Sequence, residues 1–184
     1  EAEYLEMTAK KIKYLPVLDV ADEIKFPKSS GHTLFMFNTR RKAFHFFTDK
    51  ISPIIPNSLY LSSGIRKRDR RHIINSLRDS EPKTVVSTQV LEAGVDVSFS
   101  RMYREMAPLD NIVQAMGRLN REGKESEPVL SVFLVDDKPV PYSELEVNES
   151  KILIPKLHSS IDLYNALPDY YKKVSSENLS NKNL

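Results

Sequence analysis

The chain has 184 residues, 40% of them apolar and 28% charged, with a formal net charge of +2. That is one domain, or one domain with an extension, and enough apolar side chain to bury a core. It has no cysteine, which excludes disulfides and thiolate metal sites. No apolar run reaches membrane-spanning length and no signal peptide is visible, so a cytoplasmic protein with no membrane partner is expected. The near-neutral total does not point to a polyanion partner, but the distribution of charge says more. All eleven arginines lie between Arg40 and Arg121, while the flanks use lysine. Lysine serves solubility equally well, so concentrated arginine points to oxyanion binding, with a salt-bridged, solvated surface as the alternative. Glu1 stands where an initiator Met would, as expected of a piece of something longer.

Residues 1–31 read as an N-terminal linker or an extra strand. Residues 1–10 suit a helix, residues 12–20 an extended segment broken by Pro16, and Ser29-Ser30-Gly31 a turn. From there strands and helices alternate. Residues 33–37, a continuous apolar run, predict a buried strand. Residues 41–51 predict a helix with Phe44, Phe47 and Ile51 turned into the core, closed by Pro53 and Pro56. A strand over 58–61 and a helix over 65–78, with Ile73, Ile74 and Leu77 inward, come next. The β-branched run 84–87 is the third strand, 102–106 the fourth and 129–135 the last. This order predicts an α/β fold with a mainly parallel sheet covered by helices on both faces.

Ligands of such sheets bind past the carboxyl ends of the strands. Asn38-Thr39-Arg40, Ser62-Ser63-Gly64 and Thr88-Gln89 follow three strands and should therefore emerge on one edge. The two early helices also start with cations, Arg40-Arg41-Lys42 and the run 66–71. A cation at a helix N-terminus costs roughly 0.3–1 kcal/mol, a penalty that an anion bound there would reverse.

Between the fourth and last strands, Pro108 precedes a helix with Asp110 predicted as its N-cap. Gln114, Gly117, Arg118 and Arg121 fall in one stripe, and Ile112, Val113, Met116 and Leu119 cover the other side. A glycine inside a helix costs roughly 1 kcal/mol against alanine. It makes sense if something approaches the backbone there, and two flanking arginines suggest a phosphate.

The run 114–121, QAMGRLNR, resembles motif VI, QxxGRxxR, of superfamily-two helicases. Ser87-Thr88-Gln89 through Gly94-Val95-Asp96 resembles motif V. The wording around both, STQVLEAGVDVSF and APLDNIVQAMGRLNRE, is most similar to the helicase subunit of type I CRISPR systems, and the likeness covers about residues 33–135. The resemblance implies that residues 32–136 are the second of two RecA-like domains, carrying motifs IV, V and VI.

By the same resemblance, Arg118 and Arg121 act as arginine fingers on ATP. Gln114 senses its phosphate, Asp96 accepts a ribose hydroxyl, and Gly94 shapes that loop. Asn38, Thr39, Arg40, Ser63, Gly64, Thr88 and Gln89 hold the backbone of single-stranded DNA, which suits their small polar types.

The other half of the chemistry is missing from the sequence. No GxxxxGK[ST] phosphate cradle and no DExH motif is present, and Asp136-Asp137 reads as a solvated turn. His32, His45, His72 and His158 have no metal-ligand spacing, so no metal site is assigned. ATP and Mg2+ are thus expected in the complete enzyme, with none held by this chain alone. The implied partners are an ATP-binding RecA-like domain on the same or a separate chain, single-stranded DNA, a CRISPR effector complex and a nuclease. A RecA-like module without catalysis, serving as a nucleic-acid-binding or scaffolding domain, is the competing reading. A dinucleotide binder ranks last, because no GxGxxG is present. The motor reading carries its own condition: Arg118 and Arg121 must not face the interior or be locked to carboxylates far from the ligand-facing rim.

Residues 137–184 read as a C-terminal extension. Pro139 and Pro141 mark a linker and residues 151–154 a strand. A helix capped by Ser159 or Ser160 runs through Ala166, and Pro168 starts another through Val174. Residues 175–184 are polar enough to predict disorder.

Overall fold

The computed structural model describes residues 9–16, 31–79, 81–91, 96–135 and 141–182, with side chains as far as residue 178. Within them the strands are β1 (Lys11–Leu15), β2 (His32–Met36), β3 (Leu59–Leu61), β4 (Thr84–Ser87), β5 (Phe99–Glu105) and β6 (Val129–Phe133). The helices are α1 (Arg40–Phe46), α2 (Lys67–Ser76), α3 (Leu109–Met116), α4 (Glu144–Leu153) and α5 (Ser160–Lys182).

The six strands form one sheet in the order β1-β6-β5-β2-β4-β3, and every pairing is parallel. This is the α/β, RecA-like architecture. Its strands read as continuous apolar runs because both faces are covered. Alternation along β2 divides the core: Leu34 and Met36 face the larger cluster, Phe35 and Phe37 the smaller. The larger cluster packs beneath α3 through Ile112 and Met116, and beneath the last two helices through Val147, Ile154, Leu163 and Tyr170. The smaller one is aromatic, with Phe35 stacked on Tyr103 at 4.5 Å and Phe37 against Phe46 at 4.7 Å, under Ala43 and Ile51.

Several expected elements differ. The helix after β2 is only seven residues long and continues as a π-helical turn, Phe47–Ile51. The wider turn shifts the phase, so Ala43 and Ile51 are buried while Phe44 is 50% exposed and meets Tyr60 edge-on. The strand expected at 151–154 is helical, lying at the end of α4 and in a short 3₁₀ turn, Ile154–Lys156. That segment packs on other helices, so its short apolar run fits a helix as well as a strand.

Pro168 does not start a new helix. It sits inside α5, which runs on through residues expected to be disordered, as far as Lys182. Packing of Leu163, Tyr170 and Val174 on the core, and the ion pair of Lys173 with buried Glu149 at 2.7 Å, hold α5 in place. Residues 158–160 also return to β1: Ile12 donates to the His158 carbonyl at 2.8 Å and Ser160 to that of Lys10 at 2.8 Å. No described helix is long and apolar enough to cross a membrane.

Candidate functional site

Parallel pairing brings the carboxyl ends of β2, β4 and β3 side by side. Two backbone bonds carry the ladder past the strands, from Phe37 N to Ser87 O at 2.9 Å and from Thr88 N to Leu61 O at 3.2 Å. The three polar loops expected on one edge therefore do share one rim. Arg40, Ser63 and Gly64 are exposed there, and Thr39 is half-buried, its hydroxyl capping α1 at Lys42 N, 3.3 Å away. Gly64 lies close to Arg40: a Cβ would stand 3.1 Å from a guanidinium nitrogen, which would have to shift by a few tenths of an ångström. An open groove of about 610 Å³ runs between Thr39, Arg40, Phe44, Tyr60, Ser62 and Gly64. Cationic, hydroxyl and bare backbone groups line it, which suits a phosphate chain.

Asn38 and Thr88 are placed differently from the expectation, at 5% and 4% exposure. Every polar group of Asn38 is already engaged. Its N–H donates to Glu105 Oε2 at 2.7 Å and its side-chain amide to the Met106 carbonyl at 2.7 Å. Its side-chain oxygen accepts from Arg104 at 2.5 Å, and its backbone carbonyl from Gln89 Nε2 at 3.1 Å. Asn38 thus ties together the ends of β2, β4 and β5 and is buried away from the rim surface. Gln89 spends its amide on Asn38 and on the Tyr142 hydroxyl, 2.8 Å away.

Sequence reasoning missed the partners in this network. Arg104 is fully buried at the end of β5 and also reaches its neighbour's carbonyl at 2.9 Å and Tyr142 Oη at 3.1 Å. Glu105, 3% exposed, meets Lys42 at 2.7 Å. The available signal was a charged pair inside a strand buried on both faces, since buried charges need partners.

Motif VI lies elsewhere. α3 starts after Pro108, not at an Asp110 cap, and ends at Met116 with Gly117 as its C-cap at φ −63°. Gly117 is therefore not inside a helix, and Gln114, Arg118 and Arg121 do not form one helical stripe. Because α3 runs back along the sheet, the chain then meets the start of β5. Phe99 N donates to Arg118 O at 3.0 Å, and Asn120 N to Phe99 O at 2.7 Å. Arg118 and Arg121 thus stand at the amino ends of the strands, on the edge opposite the rim.

The turn that presents them has a clear cause. Asn120 takes a left-handed backbone, φ 46°, which asparagine tolerates. Its side chain makes two bonds to the Glu125 backbone, at 2.9 and 3.0 Å, and Gly123 follows at φ 68°. Arg121 projects from this turn and meets Asp96 Oδ1 at 3.0 Å. Next to it, hydrogen bonding to Lys124 holds the Glu122 carboxyl below its ordinary value.

The condition set by the sequence is thus met in part. Arg118 is half-buried, and Arg121 is paired with a carboxylate away from the strand-end rim. The pair is not locked, for its side chains are 46% and 81% exposed, and exposed pairs contribute only about 0–1 kcal/mol. Gln114 is exposed on the last turn of α3, and Gly94 lies outside the described residues. The edge therefore offers two guanidinium groups, an amide and a carboxylate, a donor set suited to phosphate and ribose. Among the described residues, no three His, Asp or Glu side chains gather to hold a metal ion.

Known proteins share this pattern. The family described as CRISPR-associated nuclease/helicase Cas3, C-terminal, matches residues 29–124. The CRISPR-associated nuclease/helicase Cas3 of Haloferax volcanii is 54% identical over 65 residues, 33% of this chain and 7% of that protein. The one of Methanothermobacter thermautotrophicus is 23% identical over 180 residues, 92% of this chain and 21% of that protein. The crystal structure of T. fusca Cas3-ADP superposes with a TM-score of 0.74 at 16% identity, over 94% of this chain and 26% of that one. This chain thus spans at most about a quarter of these relatives. The family match covers more than half of it, including both motifs and the rim, and so the chain belongs to the Cas3 C-terminal family, as a helicase domain of the CRISPR-associated type.

Proposed function

We propose that this chain is the second RecA-like half of an ATP-dependent DNA translocase. Its rim at the carboxyl ends of the strands grips single-stranded DNA, and its opposite edge completes a nucleotide site begun by another domain. One observation carries the reading. Asp96 and Arg121, assigned through different motifs to ribose and phosphate, stand together at 3.0 Å on an exposed edge.

Cleavage of a phosphoanhydride bond is the chemistry that ATP supplies when bound. Arg118 and Arg121 bring positive charge to the phosphoryl oxygens, where an arginine finger is worth about 10³–10⁵ in rate. Arg121 must leave Asp96 to do so, at small cost, and the freed carboxylate can then accept a ribose hydroxyl. Gln114 offers a neutral donor on the last turn of α3. Mg2+ is assigned to the ATP-binding half, which would carry the phosphate cradle and DExH motif that this sequence lacks.

At the rim, Thr39, Arg40, Ser63 and Gly64 contact backbone phosphates, while Asn38, Thr88 and Gln89 frame them. The segment from Thr88 to Asp96 joins the two edges, which suits it to convert hydrolysis into movement of the strand. The ATP-binding domain is carried on the same chain or on a partner. The same proposal includes a CRISPR effector complex as recruiter, a neighbouring nuclease and a cytoplasmic setting.

Three measurements test this reading. The chain alone should turn over no ATP, and robust turnover in a pure sample would refute the half-site. Joined to its ATP-binding half, Arg121→Ala should lower kcat by about 10³-fold or more while leaving most DNA affinity. Equal loss of both would make that residue structural. DNA binding by the chain should be weak, indifferent to base order and strongly reduced by salt.

A further inference from the structure

We infer that Tyr142 is a positioning residue for the DNA rim, and that the segment after the RecA-like domain is thereby a working part of the grip. Tyr142 stands just before α4, with its ring packed against the larger core cluster and its hydroxyl turned to the rim. That hydroxyl accepts from Gln89 Nε2 at 2.8 Å and from Arg104 Nη2 at 3.1 Å. Both donors also hold Asn38, Gln89 through the backbone carbonyl at 3.1 Å and Arg104 through the side-chain oxygen at 2.5 Å. The orientation of the Gln89 amide is not ambiguous, because the Asn38 carbonyl can only accept and so selects the nitrogen.

The result is a closed ring of bonds through Tyr142, Gln89, Asn38 and Arg104. It joins the loop after β2, the loop after β4, the end of β5 and the C-terminal segment. Thr39 and Arg40 follow Asn38 directly, and Thr88 precedes Gln89. The spacing of the groups that face a phosphate chain therefore depends on a hydroxyl that never touches it. A hydrogen bond to a charged or buried partner is worth more than an exposed one, and deleting the shared acceptor loosens two loops at once. The strut itself stands on geometry alone; its consequence for DNA rests on the proposed function of the rim.

Tyr142→Phe removes only the hydroxyl and keeps the packed ring. Amide hydrogen exchange of the 184-residue chain should then be roughly three- to tenfold faster at residues 37–40 and 88–91, with no change in mid-strand amides. Tm should fall by only a few degrees, since the two hydrogen bonds lost are a small share of global stability. Gln89→Ala should loosen the same amides, and the double variant should add little to either single one, because both cut one ring. Affinity for a labelled dT20 strand at low salt should fall by a similar factor in Tyr142→Phe. Unchanged exchange in the two loops, or faster exchange spread evenly along the strands, would overturn the strut. If the loops loosen but dT20 affinity holds, the positioning role is wrong. If the unaltered chain binds no dT20 at all, the reading of the rim fails, and exchange alone decides whether the strut exists.

Discussion

The two edges of the sheet are built in opposite ways. At the carboxyl ends, Asn38, Gln89, Arg104, Glu105 and Tyr142 form a dense polar network, most of it buried. At the amino ends, Arg121 and Asp96 meet once, in the open. A site that must hold its shape alone needs every group fixed in advance. A site completed by a second body can leave such a pair exposed until that body arrives. The contrast fits a rim ready for its strand and a nucleotide edge waiting for its other wall.

The comparison can be broken most easily at Arg104. Arg104→Ala should cost about 3–5 kcal/mol, because it empties a buried site and strands the acceptors around it. Urea denaturation measures this, and a loss below about 1 kcal/mol would mean the network does not hold the rim. Asn38→Ala should cost about 2–3 kcal/mol, for two side-chain bonds at the same centre, one of them to a charge.

Tyr170, on α5 beside the first turn of α3, offers an internal reference. Burial pushes its phenol up to about 12. The folded chain thus keeps the neutral phenol where an unfolded one, ionising near pH 10, would not. The stability it confers is complete below about pH 10 and is lost as pH rises toward 12. Tyr170→Phe should make that alkaline loss shallower in a Tm series. Smallest of all, Asp96→Ala and Arg121→Ala should each shift stability by no more than about 0.5 kcal/mol. A larger shift at either would show that the arginine edge, too, is preformed.

The layout of the sheet was legible because local signals agreed with it. Apolar runs such as 33–37 and 84–87, separated by helices, allow few alternatives to a parallel sheet. The polar residues after those runs marked the rim for the same reason. What could not be read was which of them face outward. Asn38 and Arg40 are two residues apart, and only the arrival of β5 buries the first and leaves the second free. The arginine motif was legible as chemistry but not as geometry. Helical periodicity carried Arg118 and Arg121 onto α3, whereas the helix ends at Gly117 and Phe99 captures the turn that follows through long-range bonds. At the far end, the polar composition of 175–182 argued against order, and contacts made earlier in α5 overrode it.

One contact described for β1 bears on how this chain behaves when cut. β1 is a border strand, and the stretch 158–160 lies along its outer side, bonded at 2.8 Å through Ile12 and Ser160. Strip away everything after residue 157 and that row of amides and carbonyls becomes an open template for another molecule. A trimmed version should therefore pair with copies of itself as its concentration rises. The border on the other side, three-residue β3, is too short to recruit a partner in the same way.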